Sequence, residues 1–190
     1  ERKRMETELK ARASQQLAVA GLGQRALAGT DLSTLMDEAV SFVAQTLELE
    51  YSKILELLPD GNILLLRAGV GWKEGYVGHA TVGVETDSQA GYTLLCNEPV
   101  IVEDLRTETR FSGPPLLHDH GVVSGISAVI YGKDQPFGVL GAHTTQRRTF
   151  TQDDVHFIQA IANVLAEAIE RKQAEEDLRI LNTIMEAVHK

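Results

Sequence analysis

His118 and His120, one residue apart in the segment Arg110-Phe111-Ser112-Gly113-Pro114-Pro115-Leu116-Leu117-His118-Asp119-His120-Gly121, are the side chains best suited to chemistry in this chain. A His-x-His pair beside a concave surface can ligate a metal ion or a haem iron, since neutral imidazole suits both. The two rings point the same way only on an extended backbone. His143 sits in an apolar run over residues 137–144, where period-two alternation leaves it either lining a pocket or facing solvent. Trp72, Tyr92 and Phe111 offer aromatic faces for a flat organic ligand, with Arg106 and Arg110 as nearby cations. The plainer reading of those arginines is a local ion-pair network with Glu103 and Asp104. The single Cys96 excludes an intrachain disulfide and a cysteine-based zinc site. No Ser/His/Asp order, paired catalytic carboxylates or H-E-x-x-H motif occurs in a supporting context, so a non-enzymatic module is expected.

These residues need a scaffold, and turn chemistry marks one out. Residues 51–58 and 63–70 flank Pro59-Asp60-Gly61-Asn62 and predict a first hairpin. Residues 100–102 read as a short strand, and residues 122–131 and 137–144 as a second hairpin around residues 132–136. Residues 110–121 are too rich in proline for a strand and too apolar for a solvated loop. They are expected to fold over one face of the sheet as a lid. Residues 69–83 interleave five glycines with Trp72, Tyr76 and His79, without the G-x-x-x-x-G-K-[ST] pattern of a phosphate-binding loop. Residues 88–96 predict a short helix with Tyr92, Leu95 and Cys96 turned inward.

Helices enclose this region in sequence. Residues 1–28 carry Met5, Leu9, Ala13, Leu17 and Ala20 on one stripe, and Gly21 and Gly23 predict a bend. Thr30 or Asp31 caps a second helix through residue 45 that buries Leu32, Leu35, Met36, Ala39, Val40 and Val43. Thr151 caps a last helix with Asp153 and Asp154 in its first turn. Phe157, Ile161, Val164 and Ala168 follow at coiled-coil spacing, and Ala174, Leu178, Leu181, Met185 and Val188 resume it after a shift in phase. The helix is expected to leave the domain near Arg171. Three units follow: a linker helix over 1–28, a central domain over 29–171 and a coiled-coil linker helix over 172–190.

A chain of 190 residues accommodates one core with appended helices. A net charge of −9 argues against nucleic acid and anionic lipid as partners. No apolar run reaches the length of a membrane span, and the first residues do not form a signal peptide, so a cytoplasmic module without direct membrane contact is expected. Beginning on Glu1 and stopping mid-pattern at Lys190, the chain reads as a piece of a longer protein.

The succession PVIVEDLRTETRF, SGPPLLHDHGVVSGIS, PFGVLGAHTT and RTFTQDDVHFIQAIANVLAEAIER resembles the GAF domain of bacterial multi-domain signalling proteins, from about residue 31 to residue 171. The resemblance implies an α/β (α+β) fold: a central antiparallel sheet flanked by helices, with long N- and C-terminal signalling helices. It also implies a pocket between sheet and lid, on which Trp72, Tyr76, Tyr92, Phe111, His118, His120 and His143 should converge. The ligand is an unidentified small molecule. Haem, held by His118 or His120, is the alternative, and a ligand-free structural spacer is a further one. Bilin attachment in phytochrome-related members uses a cysteine in the lid, where this chain has none. The methionine sulfoxide reductases of this fold need several cysteines. The segment Phe150-Thr151-Gln152-Asp153-Asp154 is partly similar to the end of the cyclic-nucleotide signature, but Val155 replaces its glutamate and a helix cap is the simpler account. The module is expected to work as a parallel homodimer beside other sensory and output domains, in a parent resembling a sensor histidine kinase or diguanylate cyclase.

Overall fold

The computed structural model describes residues 1–85 and 87–189; Thr86 and Lys190, the end of the predicted linker, lie outside them. The elements in chain order are α1 (Arg2–Leu27), α2 (Leu32–Leu47), β1 (Tyr51–Leu57), β2 (Ile63–Val70), β3 (Thr81–Gly83), α3 (Gln89–Cys96), β4 (Val100–Val102), α4 (Pro115–His118), β5 (Ser124–Ile130), β6 (Gly138–Thr144) and α5 (Gln152–Val188). The strands form one antiparallel sheet in the order β3-β2-β1-β6-β5-β4. This is the mixed α and β architecture that the sequence implies.

Alternation along the central strands gives the sheet two different faces. Ile54, Ala68, Ile126, Ala128, Ile130, Leu140 and Ala142 pack against α1, α2 and α5, with Leu35, Met36, Val40, Val43, Phe157, Ile161 and Leu165 opposite. Leu55, Leu64, Leu66 and Val139 turn to the other face, beneath α3 and the lid. The β1/β2 register slips at Ile54/Leu55, so that Ala68 and Leu66 lie on opposite faces although two residues apart. Asp31 caps α2 by accepting from the Thr34 N–H, and Glu48 in the left-handed region ends it. Thr151 and Asp154 cap α5 reciprocally, and Gln15 of α1 donates to the same Asp154 across 2.8 Å.

Three expectations need correction. The helix α1 runs unbroken through Gly21 and Gly23; Leu22 between them is fully buried, and that packing outweighs the weak helix propensity of glycine. Its buried stripe is Gln15, Ala18, Val19, Leu22 and Ala26, whereas Met5, Leu9 and Leu17 of the predicted stripe are exposed. At the end of α3, Leu95 and Cys96 face solvent rather than the core.

Candidate functional site

The lid begins after β4 and closes with α4. Leu116 and Leu117 of that single turn are buried, and Leu117 packs with Val100, Val102, Leu105, Phe111 and Val122. A helical turn cannot present residues two apart on one side, so His118 and His120 diverge. His118 is exposed and donates from Nε2 to the Ser112 carbonyl at 2.9 Å. His120 is buried. Its Nε2 accepts from the Lys73 backbone N–H at 2.9 Å and its Nδ1 lies 2.9 Å from the Leu116 carbonyl, which fixes a neutral ring protonated on Nδ1.

His120 is the hub of an aromatic cluster. Its ring meets Tyr51, Trp72 and Tyr76 edge-on, at centroid separations of 5.6, 4.9 and 4.8 Å. Two further bonds latch the lid to the loop after β2: Lys73 Nζ donates to the Asp119 carbonyl at 2.9 Å, and the Tyr76 hydroxyl to the Asp119 carboxylate at 3.1 Å. Trp72 Nε1 donates to the Ser52 carbonyl at 2.8 Å, and Trp72 also faces His143 at 6.2 Å.

Four of the seven predicted residues, Trp72, Tyr76, His120 and His143, therefore share one cluster. The other three do not. Tyr92 and Phe111 form a separate pair 5.4 Å apart, capped by the Arg110 guanidinium, and His118 points outward. Of the predicted ion-pair network only Arg106 with Asp104 forms among the described residues; Arg110 is tied instead to Glu108 and to the Ile101 carbonyl, and Glu103 lies 3.8 Å from Arg147.

Lys53, at the centre of β1, escaped the sequence reading. Its neighbours in register are Gly69 on β2 and Gly141 on β6, with Ser127 next along the row. Only 2% of it is exposed, and Nζ lies 5.7 Å from the centre of the Trp72 ring. Burial alone pushes its amine from 10.5 down to about 7. His143 is fully buried beside it with neither ring nitrogen hydrogen-bonded. Desolvation first, and the Lys53 charge second, lower its pKa well below the ordinary histidine value. The readable signal was parity: Tyr51, Lys53, Leu55 and Leu57 share one face of β1, and the lysine breaks an otherwise apolar row.

Glycines make room for this polar centre. A Cβ built on Gly125 would overlap the His143 imidazole, and one on Gly141 would press on both His143 and the Lys53 stem. Gly125→Ala is expected to cost about 1–3 kcal/mol in chemical denaturation, because the enclosed ring has nowhere to move. Beyond this centre, Gln89, Thr93 and Ser127 form a buried hydrogen-bonded group joining α3 to β5.

A haem does not fit these residues. Both His120 nitrogens are engaged, one by the Leu116 carbonyl and one by the Lys73 backbone N–H, His118 faces solvent, and the unpaired His143 is wedged between strands. Among the described residues no group of three or more His, Cys, Asp or Glu side chains is placed to hold a metal ion.

The chain matches the GAF domain family over residues 31–169. Its fold is similar to the GAF domain of a phosphoenolpyruvate-protein phosphotransferase from Coxiella burnetii, at 16% identity and a TM-score of 0.77, covering 87% of this chain and 98% of that one. It is also similar to the free methionine-R-sulfoxide reductase of Neisseria meningitidis in complex with its substrate, at 13% identity and a TM-score of 0.71, over 83% and 89% of the two chains. The phycocyanobilin-bound GAF domain of a cyanobacterial phytochrome matches at 20% identity and a TM-score of 0.70, over 85% of this chain and 96% of that one. No curated protein matches the chain. Among the described residues no helix is long and apolar enough to cross a membrane.

Proposed function

Because the chain belongs to the GAF family, we propose that it is a non-catalytic sensory module, in a cytoplasmic setting, that binds a small molecule between sheet and lid. The observation that carries this reading is the buried polar centre of Lys53 and His143 against Trp72, beneath a lid held by polar latches. Unpaired polar groups in a packed interior are costly, and a ligand that satisfies them offsets that cost. Two proteins of similar fold hold a small organic molecule, one a phycocyanobilin and the other a substrate.

Output would pass through the terminal helices. Gln15 of α1 bonds Asp154 near the start of α5, and the Ala26 carbonyl of α1 accepts from Arg171 further along, so the two helices run parallel. The first turns of α1 and the last turns of α5 then project from opposite ends, which suits a relay between an input on one side and an output domain on the other. Such a domain would be of the sensor histidine kinase or diguanylate cyclase kind. A ligand shifts a dimer between two arrangements only by its difference in affinity for them, tenfold for each ~1.4 kcal/mol.

Native mass spectrometry and an absorption spectrum of the purified protein test the ligand. A non-covalent organic mass without a Soret band is expected. If the protein carries no ligand and none of a broad set of charged and neutral metabolites shifts its melting temperature, the spacer reading replaces this one. A Soret band lost in His120→Ala would establish haem instead.

A further inference from the structure

We propose that the ligand is a small organic carboxylate, held by Lys53 and His143 with its apolar part against Trp72; this rests on the sensory reading above. Both side chains lack partners. Lys53 sits mid-sheet at 2% exposure, its Nζ over the Trp72 ring and in none of the hydrogen bonds or ion pairs seen among the described residues, and His143 is fully buried with both ring nitrogens unpaired. Both lean on the same residue, Gly141, whose missing side chain leaves the lysine stem and the imidazole edge side by side.

The groups facing this point leave a one-sided demand. Trp72 lies above Lys53 with its N–H spent on the Ser52 carbonyl, and His120 behind it has both nitrogens occupied, by the Leu116 carbonyl and the Lys73 backbone N–H. Ser127, the next polar group along the row, is committed to Gln89 and Thr93. An ammonium supplies three N–H donors and a neutral imidazole one, while no protein carboxylate reaches them. A donor-rich, acceptor-poor interior calls for an anion.

The charge available selects its kind. One ammonium balances the single charge of a carboxylate, whose two oxygens offer about four lone-pair sites to the four donors, whereas a phosphate dianion needs a second cation that the site lacks. The arginine nearest the lid is no help, since Arg110 is held by Glu108 and the Ile101 carbonyl beside the Tyr92/Phe111 pair. Charge assistance makes carboxylate bonds to Lys53 and His143 strong in a dry site. The indole and the Leu55 and Val139 floor would take the apolar end of the acid.

Trp72 is the sole tryptophan of the chain and lies over Lys53, so its fluorescence reads the site directly. The full chain is titrated at constant ionic strength with acetate and propionate, with the uncharged isosteres acetamide and propionamide, and with inorganic phosphate. Saturable fluorescence changes and a rise in melting temperature are expected with the two acids, with roughly millimolar affinity for ligands this small. The amides should bind at least tenfold more weakly, and phosphate should give no saturable change. Lys53→Met should lose the acid response at least tenfold. The wild-type comparison of acid with amide stands even if that variant folds poorly. Equal binding of acids and amides, a phosphate response matching the acids, or an undiminished response in folded Lys53→Met overturns the carboxylate assignment. A neutral organic molecule that co-purifies and binds through Trp72 would do the same while leaving the sensory reading intact. A chain that binds no charged or neutral probe overturns both.

Discussion

Replacing Lys53 by methionine is expected to make the ligand-free protein more stable at neutral pH, by roughly 1–4 kcal/mol. Methionine keeps the unbranched stem that lies over Gly141 and removes an ammonium for which burial offers no compensation. In the unfolded chain the amine holds its proton up to about 10.5, while in the folded chain it releases it near 7. That interval corresponds to roughly 5 kcal/mol at 1.36 kcal/mol per pH unit, an upper figure that relaxation of the site reduces. Below pH 7 both states are protonated at Lys53 and the penalty is fully present. Between about 7 and 10.5 the unfolded chain binds more protons, so stability rises with pH across that window. His143 acts in the same sense lower down. It stays neutral in the fold, so stability falls as pH drops below about 6.5, where the unfolded imidazole takes a proton.

Urea denaturation from pH 6 to pH 10 separates the two groups. Lys53→Met should lose the rise above pH 7 and keep the fall below 6.5. A variant less stable than wild type, or one with the same slope above pH 7, would mean that the ammonium has a counter-charge in solution. The carboxylate reading would then lose its physical motive.

The scaffold was legible because each of its signals is local. Pro59-Asp60-Gly61-Asn62 turns one hairpin, residues 132–136 turn the other, and Asp31 and Thr151 cap the helices they precede. The exception is β3, three residues inside the glycine-rich segment; so short a strand forms by pairing with β2 and carries no pattern of its own. The site was legible in part. Trp72, Tyr76, His120 and His143 meet because the loop after β2, the lid and β6 converge over the sheet. Tyr92 and Phe111 separated from them because α3 directs Tyr92 toward the β4 end, where Phe111 packs among Val100, Val102 and Leu105. His118 was lost to the α4 turn. Lys53 stood out by parity with Tyr51 and Leu55, but a lysine in a strand is ordinarily solvated, and the space that lets this one stay inside comes from Gly69 and Gly141, which flank it in register.

Charged substitutions at Leu178 and Leu181 are expected to dissociate a homodimer of this chain and leave the domain folded. The first half of the long helix is occupied within the domain. Phe157 and Ile161 are buried against the sheet and its neighbouring helices, and Val164 and Ala168 are half-buried there, so this part of the predicted seam is not available to a partner. From Glu170 to His189 every residue is exposed. Leu178, Leu181, Met185 and Val188, spaced three, four and three, stand 52–76% open along one stripe, with Ile180 and Ile184 beside it. On α1, Met5, Leu9 and Leu17 are 62–74% open. Apolar side chains aligned in this way are usually covered by a partner. A second copy in parallel orientation aligns each stripe with itself and delivers both C-terminal ends to the same side, as a relay to a shared output requires. Burying a leucine contributes about 1.5–3 kcal/mol, and each substitution strikes both chains of a dimer. Leu178→Glu with Leu181→Glu should therefore weaken association at least a hundredfold in sedimentation equilibrium. The melting transition of the domain should be unchanged, since neither side chain touches its core. A wild-type chain that sediments as a monomer at high micromolar concentration would refute the pairing, and disulfide trapping of Leu181→Cys would distinguish a parallel seam, which brings the two cysteines together, from an antiparallel one.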